Sequence, residues 1–392
     1  ALRANTSGGS NTAVGYQALP VNTSGFDNTA LGAVALNLNT TGIRNTAVGF
    51  AALGSNTTGD NNTAVGRDAL QSVETGSDNT AVGAEALVGN HASSNTAVGA
   101  FALQSSDSGT ENVAVGNNAL RTNLDGNHNT AVGANTLTAS NGASDNTAVG
   151  ASALQSNTGD SNTAVGYSAL SANADGTDNT AVGANALQAN TAGNANTAVG
   201  RNALAANTVG DGNTAVGDGA LPANDGGTLN TAVGKFAMQS NTDGTANVAL
   251  GDSALSENTI GSRNTAIGAA SLTLNTADEN TAVGFQALEN NTAAVRNTAV
   301  GTYAAQNTDA SDTTALGFAA LRQNQSGSGN TAIGASALAA NIDGNGNTAV
   351  GRDALGAIEA GNSNTAVGSQ ALQNNTNSDN TAVGGNALRA NT

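Results

Sequence analysis

Residues 45–61 read Asn-Thr-Ala-Val-Gly-Phe-Ala-Ala-Leu-Gly-Ser-Asn-Thr-Thr-Gly-Asp-Asn, and residue 62 begins the same phrase again. The phrase occurs 23 times, its first residue running from Asn11 to Asn380, with a spacing of 17 residues in 17 of the 22 intervals and 16 in the other five. Counted from that first residue, the third position is Ala and the fifth Gly in every copy, and the fourth is always Val, Leu or Ile. The second is Thr except at Val113 and Val248, and the ninth is Leu except at Met238 and Ala305. A Gly and two or more Asn per copy oppose a helix by several tenths to ~1 kcal/mol at each position. No stripe of 3.6-residue period outlasts one copy, whereas short strands punctuated by Gly and Asn fit. The period is too short for a helical hairpin and suits one turn of a solenoid. The expected fold is therefore all-β, a parallel β-solenoid of about 23 coils with 16–17 residues per coil, forming one continuous array over residues 1–392. At about 4.8 Å per coil, the stack would be on the order of 110 Å long.

Composition narrows the function. Nine aromatic residues in 392 cannot fill the cores of several globular domains, so any core is thin and linear. A net charge of −17 repels phosphate backbones and excludes nucleic acid as a partner. Without cysteine there is no disulfide framework, and without a run of 18 apolar residues no membrane insertion is expected in this segment. The chain begins at Ala1, and Ala1-Leu2-Arg3-Ala4-Asn5-Thr6 returns at the same phase as residues 387–392. Neither end carries a cap, so we expect either an array that continues beyond this segment or chains stacked end to end into a filament; continuation is the favoured expectation.

Alternation along Thr-Ala-Val places Thr and Val on one face and Ala on the other. Hydrophobicity favours Val inward, at roughly 1.5–3 kcal/mol per buried side chain. On that reading Val14, Val48, Val65 and Val165 meet Leu19, Leu53, Leu70 and Leu170 in a core ladder. Ala13, Gly15, Ala47, Gly49, Ala64 and Gly66 then form an outward strip of small residues, a candidate subunit interface. Gly at position five is expected at the corner between two strands of the coil, where positive φ or a tight bend needs no Cβ. The Asn columns at positions one and twelve are expected to hydrogen-bond from coil to coil as amide ladders. One coil buries too little to offset its backbone entropy comfortably, so partners are expected to be copies of the chain itself, a homo-oligomer with a trimer as the expected number.

Nothing in the chain spells out catalysis. His91 and His128 are the only histidines and lie at different phases, no phosphate-binding Gly-x-x-x-x-Gly-Lys occurs, and no coil carries the insertion that would wall a cleft. No enzyme, no cofactor and no metal are expected; Asp27, Asp78, Asp145, Asp178 and Asp379 share the last position before a coil start, but most coils have other residues there. Tyr16, Phe50, Tyr167, Phe285 and Phe318 at position six, with Phe101, Phe236 and Tyr303 at position seven, line one edge. That candidate recognition edge could meet a cell-surface glycan or protein, or fill grooves against a neighbouring protomer.

Asn11-Thr12-Ala13-Val14-Gly15, with its variants at 264–268 and 112–116, resembles the Ser-Val-Ala-Ile-Gly repeat in the head domains of trimeric autotransporter adhesins and, more closely, the Asn-Thr-Ala-Ile-Gly arrays of bacterial and phage tail-fibre-like proteins. The resemblance covers essentially the whole chain. It implies a left-handed β-roll assembled as a trimer and displayed outside the cell, on a cell surface or virion. The period here exceeds that of the adhesin heads, and no coiled-coil stalk or anchor accompanies it. The expected function is a structural and adhesive fibre shaft that gives rigid spacing and multivalent attachment. An ice-binding β-solenoid is the alternative, although such surfaces generally carry two outward Thr columns and here the second would be Val.

Overall fold

The computed structural model describes residues 1–391; Thr392, the last residue of the expected array and of the repeated terminal hexapeptide, lies outside them. Two compact units divide the chain, Ala1–Ala195 and Asn196–Thr392. Each is a parallel β-solenoid in which every copy of the repeat forms one coil with one three-residue strand. The first unit holds strands β1 (Thr12–Val14) to β11 (Thr180–Val182), and the second β12 (Thr197–Val199) to β23 (Thr381–Val383). No helix occurs among the described residues. Strands pair in parallel with like against like, as in Thr46↔Thr63, Ala47↔Ala64 and Val48↔Val65. The shorter coils keep this register: Ala148 still meets Ala164 across a 16-residue step.

The strands face the other way from the hydrophobic expectation. Ala47, Ala64 and Ala164 have no exposed surface, whereas Val14 is 55% exposed, Val65 37% and Val165 38%, and Val48 is half-buried. The four valines assigned to the core ladder are therefore surface residues, and only Leu19, Leu53, Leu70 and Leu170 of that ladder are buried. The reason is cross-section. Most coils also enclose Ala at position eight, Leu at nine and an Asn at both one and twelve, such as Ala52, Leu53, Asn45 and Asn56, all fully buried. Little more than a Cβ fits between them and the strand, and overpacking a dense interior costs more than it returns.

The segment carrying Ala and Leu is not a second strand. In an extended chain successive side chains point to opposite faces, yet Ala18 and Leu19 are both fully buried. The backbone achieves this by changing the sign of φ: Gln17 and Leu19 have φ of 50° and 47°, and Leu53 and Leu170 have 49° and 50°. Left-handed geometry costs a non-Gly residue roughly 1–2 kcal/mol, and burial of the leucine, roughly 1.5–3 kcal/mol, offsets that cost at its own position. Ladder bonds persist through the turn, the Leu19 amide donating to the Ala35 carbonyl of the next coil at 3.0 Å. Gly at position five is obligatory on two counts: Gly166 has φ +140°, and a Cβ on it would lie 2.5 Å from the Gly183 carbonyl oxygen.

The two Asn columns form the expected ladders, buried inside the coils. At position twelve the amide Nδ2 donates to the Oδ1 of the preceding coil, Asn39 to Asn22 at 2.9 Å and Asn56 to Asn39 at 2.7 Å. At position one each Oδ1 accepts the backbone N–H of the next copy, as Asn28 Oδ1 does from Asn45 (3.0 Å), while Asn28 Nδ2 donates to the Gly42 carbonyl (2.8 Å). The amide at position twelve donates and accepts along the same column and is long enough to reach the neighbouring coil. Ser106, Ser140 and Thr308 replace it in three coils, and each hydroxyl oxygen is buried with no hydrogen-bond partner.

Candidate functional site

Turning Ala inward turns Thr and Val outward, which changes the candidate interface. Ala47 and Ala64 are enclosed and Ala13, in the first strand, is half-buried, so the alanines of the proposed small-residue strip are not available to a partner. Gly15, Gly49 and Gly66 follow the outward valines in the chain, with positive φ as expected of corner residues. The face presented instead has two columns, Thr at position two and Val, Leu or Ile at four, separated by the inward Ala. It carries no charged residue at any of its outward positions in a chain of net charge −17. Val165 and Val182 are each 38% exposed, Val199 37%, and the larger Leu31, Leu250 and Leu316 stand out at 45–48%.

Positions six and seven, just past this face, hold the aromatic edge. Tyr16, Phe50 and Tyr167 are exposed singly, outside the two ring contacts found among the described residues. Phe285 and Phe318 are brought together through Tyr303, with ring centroids 5.7 Å and 6.0 Å apart and interplanar angles of 75° and 78°. The Arg322 guanidinium lies 5.1 Å from the Tyr303 ring centroid. Cations elsewhere pair along columns: Arg201 with Asp218 at 2.9 Å, Arg296 with Asp312 at 2.7 Å. The ion pair, through its hydrogen bond and charge, holds the Asp218 and Asp312 carboxyls below their ordinary range. Such exposed pairs contribute little stability.

His128 sits between two carboxylates of its own column, with Nε2 3.4 Å from Glu111 Oε2 and Nδ1 3.2 Å from Asp145 Oδ1. His91 belongs to a different column, and no group of three or more metal-ligating side chains is assembled among the described residues. The surface depressions are open; one, bounded by Val34, Leu38 and Gln71, lies on full-length coils, and two others border coils that are one residue short. In the second unit, coil 264–279 lacks one residue of its turn, leaving a notch between Ile260 and Ala293 floored by Thr276 and Asp278. No helix among the described residues is long and apolar enough to cross a membrane. Neither the protein-family models nor the curated proteins contain a match to this chain.

Proposed function

We propose that this chain is a non-enzymatic segment of an extracellular fibre, borne on a cell surface or virion, in which parallel copies pack their Thr/Val faces together, three about a common axis. The left-handed roll and the continuity of the array from one unit into the other are part of this reading. The observation that carries it is the uncharged two-column face. At roughly 50 Å² of exposed side chain per valine, the strands of both units offer on the order of 1,000 Å²; divided between two neighbours and matched by each of them, that gives about 1,000 Å² in total per contact, the size at which a specific interface begins. Exposed apolar patches beyond a few hundred Å² mark interaction surfaces. Covering this face with sister chains would bury the aliphatic column that one coil cannot enclose, and the multiplied rod would supply stiffness and repeated weak contacts.

Sedimentation equilibrium of the purified chain tests the reading. A species of three times 37.7 kDa is expected, and paired Val165→Asp and Val182→Asp substitutions should dissociate it while leaving the β circular dichroism unchanged. A 37.7 kDa monomer persisting at tens of micromolar would refute it. One observation favours the ice-binding reading as second: the outward columns flank an inward residue at regular rungs. Against it, Leu31, Leu250, Leu316, Ile267 and Ile333 interrupt the flat valine column, which a partner protein can accommodate and a crystal lattice plane cannot. Thermal hysteresis of the monomeric double variant decides between the two.

A further inference from the structure

Of the three coils beginning at Asn280, Asn297 and Thr313, the middle one departs furthest from the repeat. Coil 297–312 is one residue short, has Ala305 where 21 coils have Leu, and has Thr308 where most have the ladder Asn, its Oγ1 buried and unpaired. The next coil opens with Thr313, the only first position that is not Asn. This stretch gives up a buried isobutyl group and two amide rungs with no gain to the core, and such local violations concentrate at functional sites. On the outside of the same three coils lies the only aromatic stack among the described residues, Phe285, Tyr303 and Phe318.

Beside those rings runs a second, polar row built by the same coils. Gln286 Nε2 and Gln306 Nε2 each donate to Glu289, at 2.8 Å, and Arg322 Nε donates to Gln306 Oε1 at 3.0 Å. Arg322 also covers Tyr303, so the two rows brace each other. Phe285 is 44% and Phe318 56% exposed, leaving ring surface free beside oriented amide, carboxylate and guanidinium groups. A sugar ring has the matching duality: an apolar C–H surface that lies on an aromatic ring, and a hydroxyl rim that both donates and accepts. Phe285 and Phe318 occupy the same position two coils apart, about 10 Å at the strand spacing, which is also the repeat of an extended β-1,4-linked disaccharide. The two phenylalanines stand exposed on the outer edge of the coils, which suits a polymer lying along them better than an enclosed small molecule. The net charge of −17 disfavours anionic polysaccharides.

We propose that the Phe285–Tyr303–Phe318 row, with Gln306 and Arg322, is a binding platform for a neutral β-1,4-linked polysaccharide. The proposal deepens the adhesive part of the function given above, and the two fail separately, since assembly is read by sedimentation and this site by glycan retention. The test is affinity electrophoresis of the full chain through gels containing hydroxyethyl cellulose or glycol chitin, with dextran and alginate gels as controls. Retardation is expected in at least one of the first two and in neither control. Phe318→Ala and Arg322→Ala should each weaken it at least tenfold, Tyr16→Ala should leave it unchanged, and all three should keep the wild-type circular dichroism. No retardation of the wild type, retardation by alginate alone, or equal retention of Phe318→Ala and Arg322→Ala with the wild type would each overturn the proposal. Should Phe318→Ala lower the thermal midpoint, Gln306→Ala carries the test, and undiminished retention of that variant likewise overturns it.

Discussion

Substituting Ala164 by valine and, separately, Val165 by threonine separates inside from outside within a single strand. Ala164 is fully enclosed and registers with Ala148 on one side and Ala181 on the other, both equally buried. Two extra methyl groups there have no free volume to enter, so overpacking should cost about 1–3 kcal/mol, or roughly 5- to 150-fold in the local opening equilibrium. Val165 is 38% exposed. Threonine has nearly its shape and can point its hydroxyl to solvent, so Val165→Thr should stay within about 0.5 kcal/mol in the monomer. Were the strand turned around, the signs would exchange: valine for an outward alanine would gain β-propensity, up to ~1 kcal/mol, and a hydroxyl in the core would be destabilising. Because long repeat arrays do not unfold as one two-state unit, the measurement is hydrogen exchange by mass spectrometry over residues 147–182, on chains held monomeric. Faster exchange in Val165→Thr with protection retained in Ala164→Val would refute the inward alanine and the face built on it.

Gly166→Ala should destabilise its coil by about 1–3 kcal/mol, since φ is +140° and the added Cβ would meet the Gly183 carbonyl; the same exchange measurement shows it as a loss of protection over residues 163–185. Asn39→Val should cost about 1–3 kcal/mol by leaving Asn22 Oδ1 without its donor. Val73 already does this to Asn56, whose Oδ1 is unpaired, so Val73→Asn should restore the rung and raise protection in the flanking coils. Burial opposes ionisation of Asp309, but hydrogen bonds from the Ala293 N–H, the Thr292 side chain and N–H, and the Ala294 N–H outweigh it and hold the carboxyl below its ordinary value. Its stabilisation is therefore full above the ordinary carboxylate range and lost as pH falls through the lowered value. Acid titration of the thermal midpoint should show this loss in the wild type and lose that component in Asp309→Asn.

The period, the short strand at Thr-Ala-Val, the buried leucines and the amide ladders are all legible in the spacing of Asn, Gly and Leu, whereas the second strand expected through Ala-Leu is a left-handed turn. The direction of the strand is not, because a two-residue alternation tells which side chains share a face without telling which face is in. Hydrophobicity alone points Val inward. The signal that points the other way is tolerance of volume: position three is Ala without exception from Ala13 to Ala382, while position four accepts Val, Leu and Ile and position two accepts Thr and Val. An enclosed site in a narrow coil fixes size, and a surface one does not. The left-handed leucines were equally hidden, since Leu is an unusual residue at positive φ and only the joint burial of neighbours such as Ala18 and Leu19 requires it. Exposure of the aromatic edge follows from phase, but the stack at Tyr303 depends on one ring moving from position six to seven between two coils, a detail that composition does not express.

Like-with-like stacking makes length an independent variable. Ala47 rests between Ala30 and Ala64, and the other enclosed columns repeat that sandwich. Excising residues 45–61 would join Arg44 to Asn62 and bring together surfaces that already match, whereas removing eight or nine residues would set every column against a stranger. Recombination between copies therefore lengthens or shortens such a chain in whole rungs without redesigning any contact, and variation in reach among descendants of one sequence is the inheritance that this geometry permits.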